Sequence, residues 1–449
     1  MDTNRRILIK ALGLFMFFYA FFSRIKVRLF KVYANEENEV KIVSKRPELK
    51  NTKIERNLGV ETDGKSYVYI ARGAKPEDNT KNAIEMVGGI EKFIGKTDIV
   101  ILKPNAQWWN QGMTNTDSMK AFIDLVLEIP GFKGEIIIAE NQHFIPADSR
   151  GWTTKERNGK FNLNELVDHY KNNGYQNVTK YHWRDGGKNI LPLQGDDGGN
   201  GIVKGPGGKD GYVWREDIVY RAPNGRKCLM TYPVFTSAYS NIQIDLKNGP
   251  WQSGKYLDIP IKLINFSALN HHSIYSGATG AIKNYMGIVD MTCGFPGPEP
   301  KGTYNTHYIG VSKFMKHKKI VWQSHWRIAK FLYRNFRYTG GSLGFFMNHV
   351  RMADLNVITA ERVGWRSRTD LEGSVHTKAI VVSKDPVAID LIASEKILSE
   401  STPVNEAFLK SLNNGFSKNG PFWKFIKECH LQGIGNIEKD KIHIEWFDV

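Results

Sequence analysis

Apolar positions along the chain follow two alternating periods. Short, nearly continuous hydrophobic runs occur at 67–71, 99–102, 135–139, 263–266, 356–359 and 379–382, the length and β-branched content of buried strands. Between them, 82–94, 117–129, 163–172 and 386–398 carry apolar residues three and four apart, the period of a helix with one buried face. The second is the clearest, with Met119, Phe122, Ile123 and Val126 in register. Thr116 and Asp117 suit its first turn, and Asp385 before Pro386 reads as an N-cap with proline in the first helical turn. Strand alternating with helix predicts an α/β fold, a mainly parallel sheet with helices on both faces. Residues 183–260 interrupt this rhythm with a Gly- and Asp-rich stretch followed by irregular apolar, Pro and Gly residues, which predicts an inserted, loop-rich and partly antiparallel subdomain. The expected division is 1–34 a signal or anchor, 35–63 a linker, 64–182 and 261–400 the two α/β halves around that insertion, and 401–449 a helical and strand extension.

The N-terminus is patterned differently. Asn4-Arg5-Arg6-Ile7-Leu8-Ile9-Lys10 precedes the apolar stretch 11–22, whose twelve residues rise about 18 Å as a helix, short of a roughly 30 Å hydrocarbon core. A charged segment before a short apolar run is the layout of a signal peptide. The paired arginines resemble the twin-arginine export motif, which implies a twin-arginine export machinery as partner and a periplasmic or otherwise extracytoplasmic location. Arg24, Lys26, Arg28 and Lys31 follow the apolar run and suit an anionic membrane surface, so an uncleaved inner-membrane anchor is the alternative to cleavage after Ala34.

Composition narrows the classes. With 449 residues, 41% hydrophobic and 24% charged, the chain can bury a sizeable core and is neither disordered nor a multi-span membrane protein. Its net charge of +16 favours anionic partners, but no zinc finger, RNP motif or arginine-rich run supports nucleic acid, and a small anionic molecule is the expectation. Cys228, Cys293 and Cys429 are scattered, which argues against iron–sulfur clusters and thiolate zinc. No serine elbow, P-loop or dinucleotide fingerprint occurs.

Ligands of parallel sheets sit beyond the carboxyl ends of the strands, and three such ends are rich in polar residues. Lys103, Asn105, Thr114, Asn115 and Thr116 surround one strand end and the following helix start, a corner suited to carboxylate or phosphate, although Lys103 at a strand end reads equally as a solvated lysine. Glu140 and His143 follow another strand, where they suit acid–base work, metal ligation or helix capping. The densest is Asn265 to Gly287, with His271, His272, a turn at Gly277-Ala278-Thr279-Gly280, then Lys283 and Asn284. Adjacent strand residues face opposite sides, so His271 and His272 do not both enter one site unless the backbone has already turned. A lysine in a partly buried pocket loses proton affinity and becomes a base, a nucleophile or a Schiff-base former.

Three phrases, Ile101-Leu102-Lys103-Pro104-Asn105, the block Gly277-Ala278-Thr279-Gly280-Ala281-Ile282-Lys283-Asn284-Tyr285-Met286-Gly287, and Lys384-Asp385-Pro386-Val387-Ala388-Ile389-Asp390, together resemble the bacterial and archaeal domain-of-unknown-function-362 family. Its histidine–glycine–lysine block is in turn similar to a stretch of the nickel-pincer lactate racemases. That resemblance implies a cofactor- or substrate-bearing role for Lys283, a metal or proton-transfer role for His271 or His272, and a nickel-type transition metal as cofactor, with His376 as a third ligand. This chain carries an extra residue before Gly277 relative to the family phrase, so the choice of histidine stays open. The cysteine clusters common among relatives are absent. The expected function is a metal- or cofactor-dependent enzyme, isomerase- or racemase-like, acting on a small anion; Lys103, Asn105, Thr114, Asn115, Thr116, Glu140 and Asn284 would hold the substrate, and Lys283, His271, His272 and His143 would carry the chemistry. A non-catalytic envelope protein binding metal or a small ligand is the alternative.

Overall fold

The computed structural model describes residues 57–141, 151–184, 201–274, 276–290, 306, 309 and 335–449. The N-terminal signal, most of the linker and His143 lie outside the described residues. The described residues belong to one compact unit. No helix among them is long and apolar enough to cross a membrane.

The strands are β1 (Ser66–Arg72), β2 (Ile99–Lys103), β3 (Glu135–Asn141), β4 (Val178–Arg184), β5 (Gly201–Val203), β6 (Gly211–Arg221), β7 (Lys227–Thr236), β8 (Gln243–Asp245), β9 (Gly249–Gln252), β10 (Lys255–Tyr256), β11 (Ile261–Ser273), β12 (Gly277–Ala278), β13 (Leu355–Gly364), β14 (Ser374–Ser383) and β15 (Ile442–Asp448). The helices are α1 (Pro76–Met86), α2 (Thr116–Leu127), α3 (Leu163–Asn172), α4 (Ala281–Asn284), α5 (Arg337–His349), α6 (Pro386–Ala393), α7 (Ala407–Asn413) and α8 (Pro421–His430).

The main sheet has nine strands in the order β15-β1-β14-β13-β11-β2-β3-β4, with β12 a short flap on β11. Strands β13, β11, β2, β3 and β4 run parallel. Strand β14 runs antiparallel to both β13 and β1. The link from β13 to β14 spans only residues 365–373, too short for the crossover that parallel neighbours need. The carboxyl ends of β2, β3, β11 and β13 therefore share one edge, and the β13–β14 loop lies at that same edge.

The central strands are apolar throughout because both faces are covered. Val100, Leu102, Ile136, Ile138, Ile264 and Phe266 pack in one cluster with residues of α1, α2 and α3. Ile99, Ile101, Ile137, Ala139 and Leu263 pack in another, shared with α5, α6, α8 and a second sheet. That second sheet has six strands, β10-β9-β8-β7-β6-β5, antiparallel except for the β5–β6 pair. It is the expected insertion between the two halves, and Tyr212, Tyr232 and Phe235 bury it against the main sheet.

Local chemistry sets the helix boundaries. Helix α3 matches the expected 163–172, and its capping box joins Asn162 and Glu165 reciprocally. Helix α1 begins earlier than its apolar period suggests, at Pro76, and stops before Gly88 and Gly89, both at positive φ. Helix α6 ends at Ala393 and continues as a π-turn to Ser399. Asp385 caps it by accepting from the N–H groups of Val387 and Ala388, at 2.7 and 3.0 Å.

Candidate functional site

Beneath the carboxyl edge lies a buried polar brace. Lys103, at the end of β2, is fully buried. Its Nζ donates to Glu140 Oε1 (2.6 Å), the Pro104 carbonyl (2.6 Å) and Asn284 Oδ1 (2.8 Å). An ammonium has three protons, so none remains for a ligand. The other oxygen of Glu140 accepts from the Ala106 N–H. Asn284 donates to Asn265 Oδ1 at 2.8 Å, and Asn265 donates to Asn356 Oδ1 at 2.9 Å. The brace thus ties β3, β2, α4, β11 and β13 into one unit. Gly287 belongs to it sterically, since a Cβ there would land on Glu140 Oε1 and Lys103 Nζ.

The expected anion corner at the start of α2 is likewise committed internally. Thr114 Oγ1 donates to the Phe266 carbonyl and accepts from the Asn105 N–H. Asn115 caps α2 by accepting from the Ser118 N–H, and Thr116 Oγ1 contacts the carbonyls of Asn158 and Phe161. Asn105 is partly exposed, and its Oδ1 accepts from the Gln107 N–H.

Two further basic groups, on α4 and in the β13–β14 loop, have no carboxylate partner among the described residues. Lys283, on α4, is partly buried. Its proton affinity falls from 10.5 to about 7, first through burial and then through repulsion from Arg368 and Lys103. Among the described residues no carboxylate offsets that charge. Arg368, in the β13–β14 loop, is pushed down to about 10 by burial alone. Its guanidinium lies 4.3 Å from the centroid of the Trp108 ring, a cation–π contact that orients the fork without neutralising it. Two cations without counter-charges in a partly desolvated place form a site for an anion.

Several contacts hold the loop that delivers Arg368. Gln111 Nε2 donates to the Asp370 carbonyl at 2.9 Å, and Asn110 Nδ2 to that of Thr369 at 3.1 Å. Asn110 itself is left-handed, with φ of 50°, a conformation that Asn tolerates better than most residues. Asn270 donates to the Gln111 carbonyl and accepts from the Gly364 N–H. A side chain at Gly112 would strike the Trp108 Cβ and the Arg368 carbonyl oxygen, so glycine permits this close approach.

The two histidines part company, as strand geometry requires. His271 is buried, and its Nδ1 lies 2.7 Å from Asn413 Oδ1. Asn413 spends its amide protons on the Trp365 carbonyl and Thr402 Oγ1, both at 3.0 Å. Its oxygen must therefore accept from His271 Nδ1–H, which puts the ring lone pair on Nε2, for which no partner occurs among the described residues. Burial lowers the His271 pKa, the Asn413 bond opposes this, and Arg368 lowers it further. His272 instead meets Ser276 Oγ at 2.6 Å and Ser273 Oγ at 3.1 Å. His376 is exposed on β14 beside Arg362. Among the described residues no group of three or more His, Cys, Asp or Glu side chains is placed to hold a metal ion. The described residues therefore do not fit a metal centre made of His271, His272 and His376.

Backbone chemistry aims α4. Asp390 on α6 is fully buried and accepts from the N–H groups of Ala281 and Ile282, at 2.6 and 3.0 Å. Burial raises its pKa to about 7 despite those bonds. A Cβ on Gly280 would collide with the same carboxylate. The glycine and the aspartate together fix the turn that presents Lys283.

Comparison with known proteins adds one match. Residues 259–395 match the family model of a domain of unknown function, DUF362. The DUF362 segment runs from β11 to just past the end of α6 and contains His271, Lys283, Arg368 and Asp390, while Trp108 lies outside it. No curated protein matches the chain, and no solved structure does. Sequence reasoning singled out Lys283 and His271 and placed Trp108 at a polar strand end without giving it a role, but missed Arg368 and Asn413. The only sequence signal for Arg368 is the basic and aromatic run Trp365-Arg366-Ser367-Arg368, which lies in a loop and has no period.

Proposed function

We propose that this chain is an enzyme, isomerase- or racemase-like, acting on a small carboxylate-bearing molecule at the carboxyl edge of its main sheet. The observation that carries the reading is that Arg368, stacked over Trp108, and Lys283 have no carboxylate partner among the described residues, while Asn413 holds His271 by Nδ1 with Nε2 as its lone-pair nitrogen. Arg368, stacked on Trp108, pairs with the carboxylate as a planar fork. His271, neutral and held by Asn413 in one tautomer, accepts or returns a proton at Nε2. Lys283 supplies an amine that is substantially uncharged near neutral pH, suited to a carbonyl or a leaving proton. The metal-dependent version of this reading draws no support from the described residues.

The experiment is solvent-proton exchange in deuterated buffer with pyruvate and with each enantiomer of lactate, followed by NMR and chiral chromatography. Isotope uptake or enantiomer interconversion above the buffer rate, lost in Lys283→Met and His271→Gln, supports the reading. Rates equal to buffer, or unchanged in both variants, overturn it. If the protein binds these anions without turning them over, the chain is a small-anion binding protein that uses the same cations. We further propose export or membrane attachment through the N-terminal segment, which rests on Arg5 and Arg6 and the apolar run behind them.

A further inference from the structure

Resting on that reading, we propose that Lys283 forms an imine with the carbonyl carbon of a 2-oxo carboxylate whose carboxylate pairs with Arg368. Three observations converge on this chemistry. The Lys283 amine makes no hydrogen bond or ion pair among the described residues, so its lone pair is not committed to a neighbouring group. Its neighbours in charge are cations, Arg368 and Lys103, and Lys103 is locked onto Glu140 and Asn284; this surrounding field favours the neutral, nucleophilic amine. Among the described residues Arg368 has no carboxylate partner, and it is braced against Trp108, which leaves its fork oriented toward a planar anion. The anchor and the amine share one neighbourhood, which is what a short molecule with a carboxylate next to a carbonyl requires. A simple alcohol acid would use the anchor but offer the amine no carbonyl to add to.

The step balances without any further reactant. The Lys283 nitrogen adds to the carbonyl carbon, the carbonyl oxygen takes two protons, one from the amine and one from solvent, and leaves as water. The product is the protonated imine, which draws electrons from the neighbouring carbon and makes its C–H acidic.

Reductive trapping tests the proposal on the full-length protein, with pyruvate and glyoxylate as probes and cyanoborohydride as reductant. The adduct is read by intact mass and located by peptide mapping. One reduced adduct per chain, mapped to Lys283, is expected. It should be absent in Lys283→Arg, which keeps the charge but not the neutral amine. In Arg368→Gln the pyruvate concentration for half-trapping should rise about tenfold or more, as loss of a charge-assisted pair implies, whereas trapping of acetaldehyde, which lacks the carboxylate, should fall less and regain its level at higher pH, because it loses only the charge that Arg368 turns against Lys283 protonation. Modification spread over surface lysines, or an adduct that persists in Lys283→Arg, overturns the imine. Calorimetric titration with oxalate separates the two levels of the argument. Oxalate binding without any pyruvate adduct refutes the imine and leaves the anion site standing; no oxalate binding and no adduct refutes both.

Discussion

Replacing Lys283 with methionine should stabilise the fold, and more so in acid than in base. Lysine and methionine have similar reach, so the exchange mainly removes a charge. In the folded chain the Lys283 pKa is about 7, against 10.5 for an ordinary lysine, with burial the main cause. Below about pH 7 the group is charged in both states, and the folded state bears the full cost of holding that charge away from water. Between about 7 and 10.5 the unfolded chain binds more protons than the folded one, so stability rises with pH, and above that range the cost is gone. The pKa difference corresponds to about 5 kcal/mol, and partial solvent contact at Lys283 reduces this to roughly 1–3 kcal/mol for the variant near pH 6. Near pH 9 the gain should fall by more than half. Urea unfolding at low ionic strength, at both pH values, measures the difference. Equal stability of the two proteins at acid pH, or a gain independent of pH, would refute the argument that Lys283 is an unpaired and desolvated cation.

Other consequences follow from the brace and the caps. Gly287→Ala should cost about 3–5 kcal/mol, because a methyl group there forces apart a buried ion pair; thermal unfolding would show it. Asp385→Ala should cost about 3 kcal/mol by chemical denaturation, more than an ordinary cap, because Asp385 also accepts from Ser66 Oγ at 2.5 Å and from the Asn436 N–H at 2.7 Å. Asn413→Leu should lower the His271 pKa further, since the lost bond is the contact that raises it; an NMR titration of the imidazole protons would read the shift. Conservative replacement of both Arg5 and Arg6 by lysine should strand the protein inside the cytoplasmic membrane if the twin-arginine reading holds, and unchanged fractionation would count against it.

The sequence made the fold class readable because the central strands are buried on both faces. Runs such as Ile99 to Leu102 and Ile136 to Ala139 cannot face water on either side, so a covered parallel sheet was the natural inference. Asn162 with Glu165, and Asp385 with Pro386, carried their caps in the local sequence and were equally legible. The antiparallel β14 was not, since strand direction depends on the brevity of a loop whose neighbours in space are set by the whole sheet. At the site, Lys283 and His271 stood out within a block of small residues. Lys103 and Glu140 looked available to a ligand because each ends a strand, yet their partners come from separate strands and from α4, and a linear reading shows none of those contacts. Arg368 and Trp108 meet only when two loops dock, through Gly112 and Asn270, and no periodicity in either loop announces it.

Calorimetric titration with oxalate, an anion that cannot form an imine, tests the central claim most directly, with the unaltered protein compared with Arg368→Gln and Lys283→Met. The account predicts saturable binding at one site, weakened about tenfold or more by Arg368→Gln, weakened by Lys283→Met chiefly below neutral pH, and diminished by added salt. Binding that is absent in the unaltered protein, or indifferent to both substitutions, would contradict it.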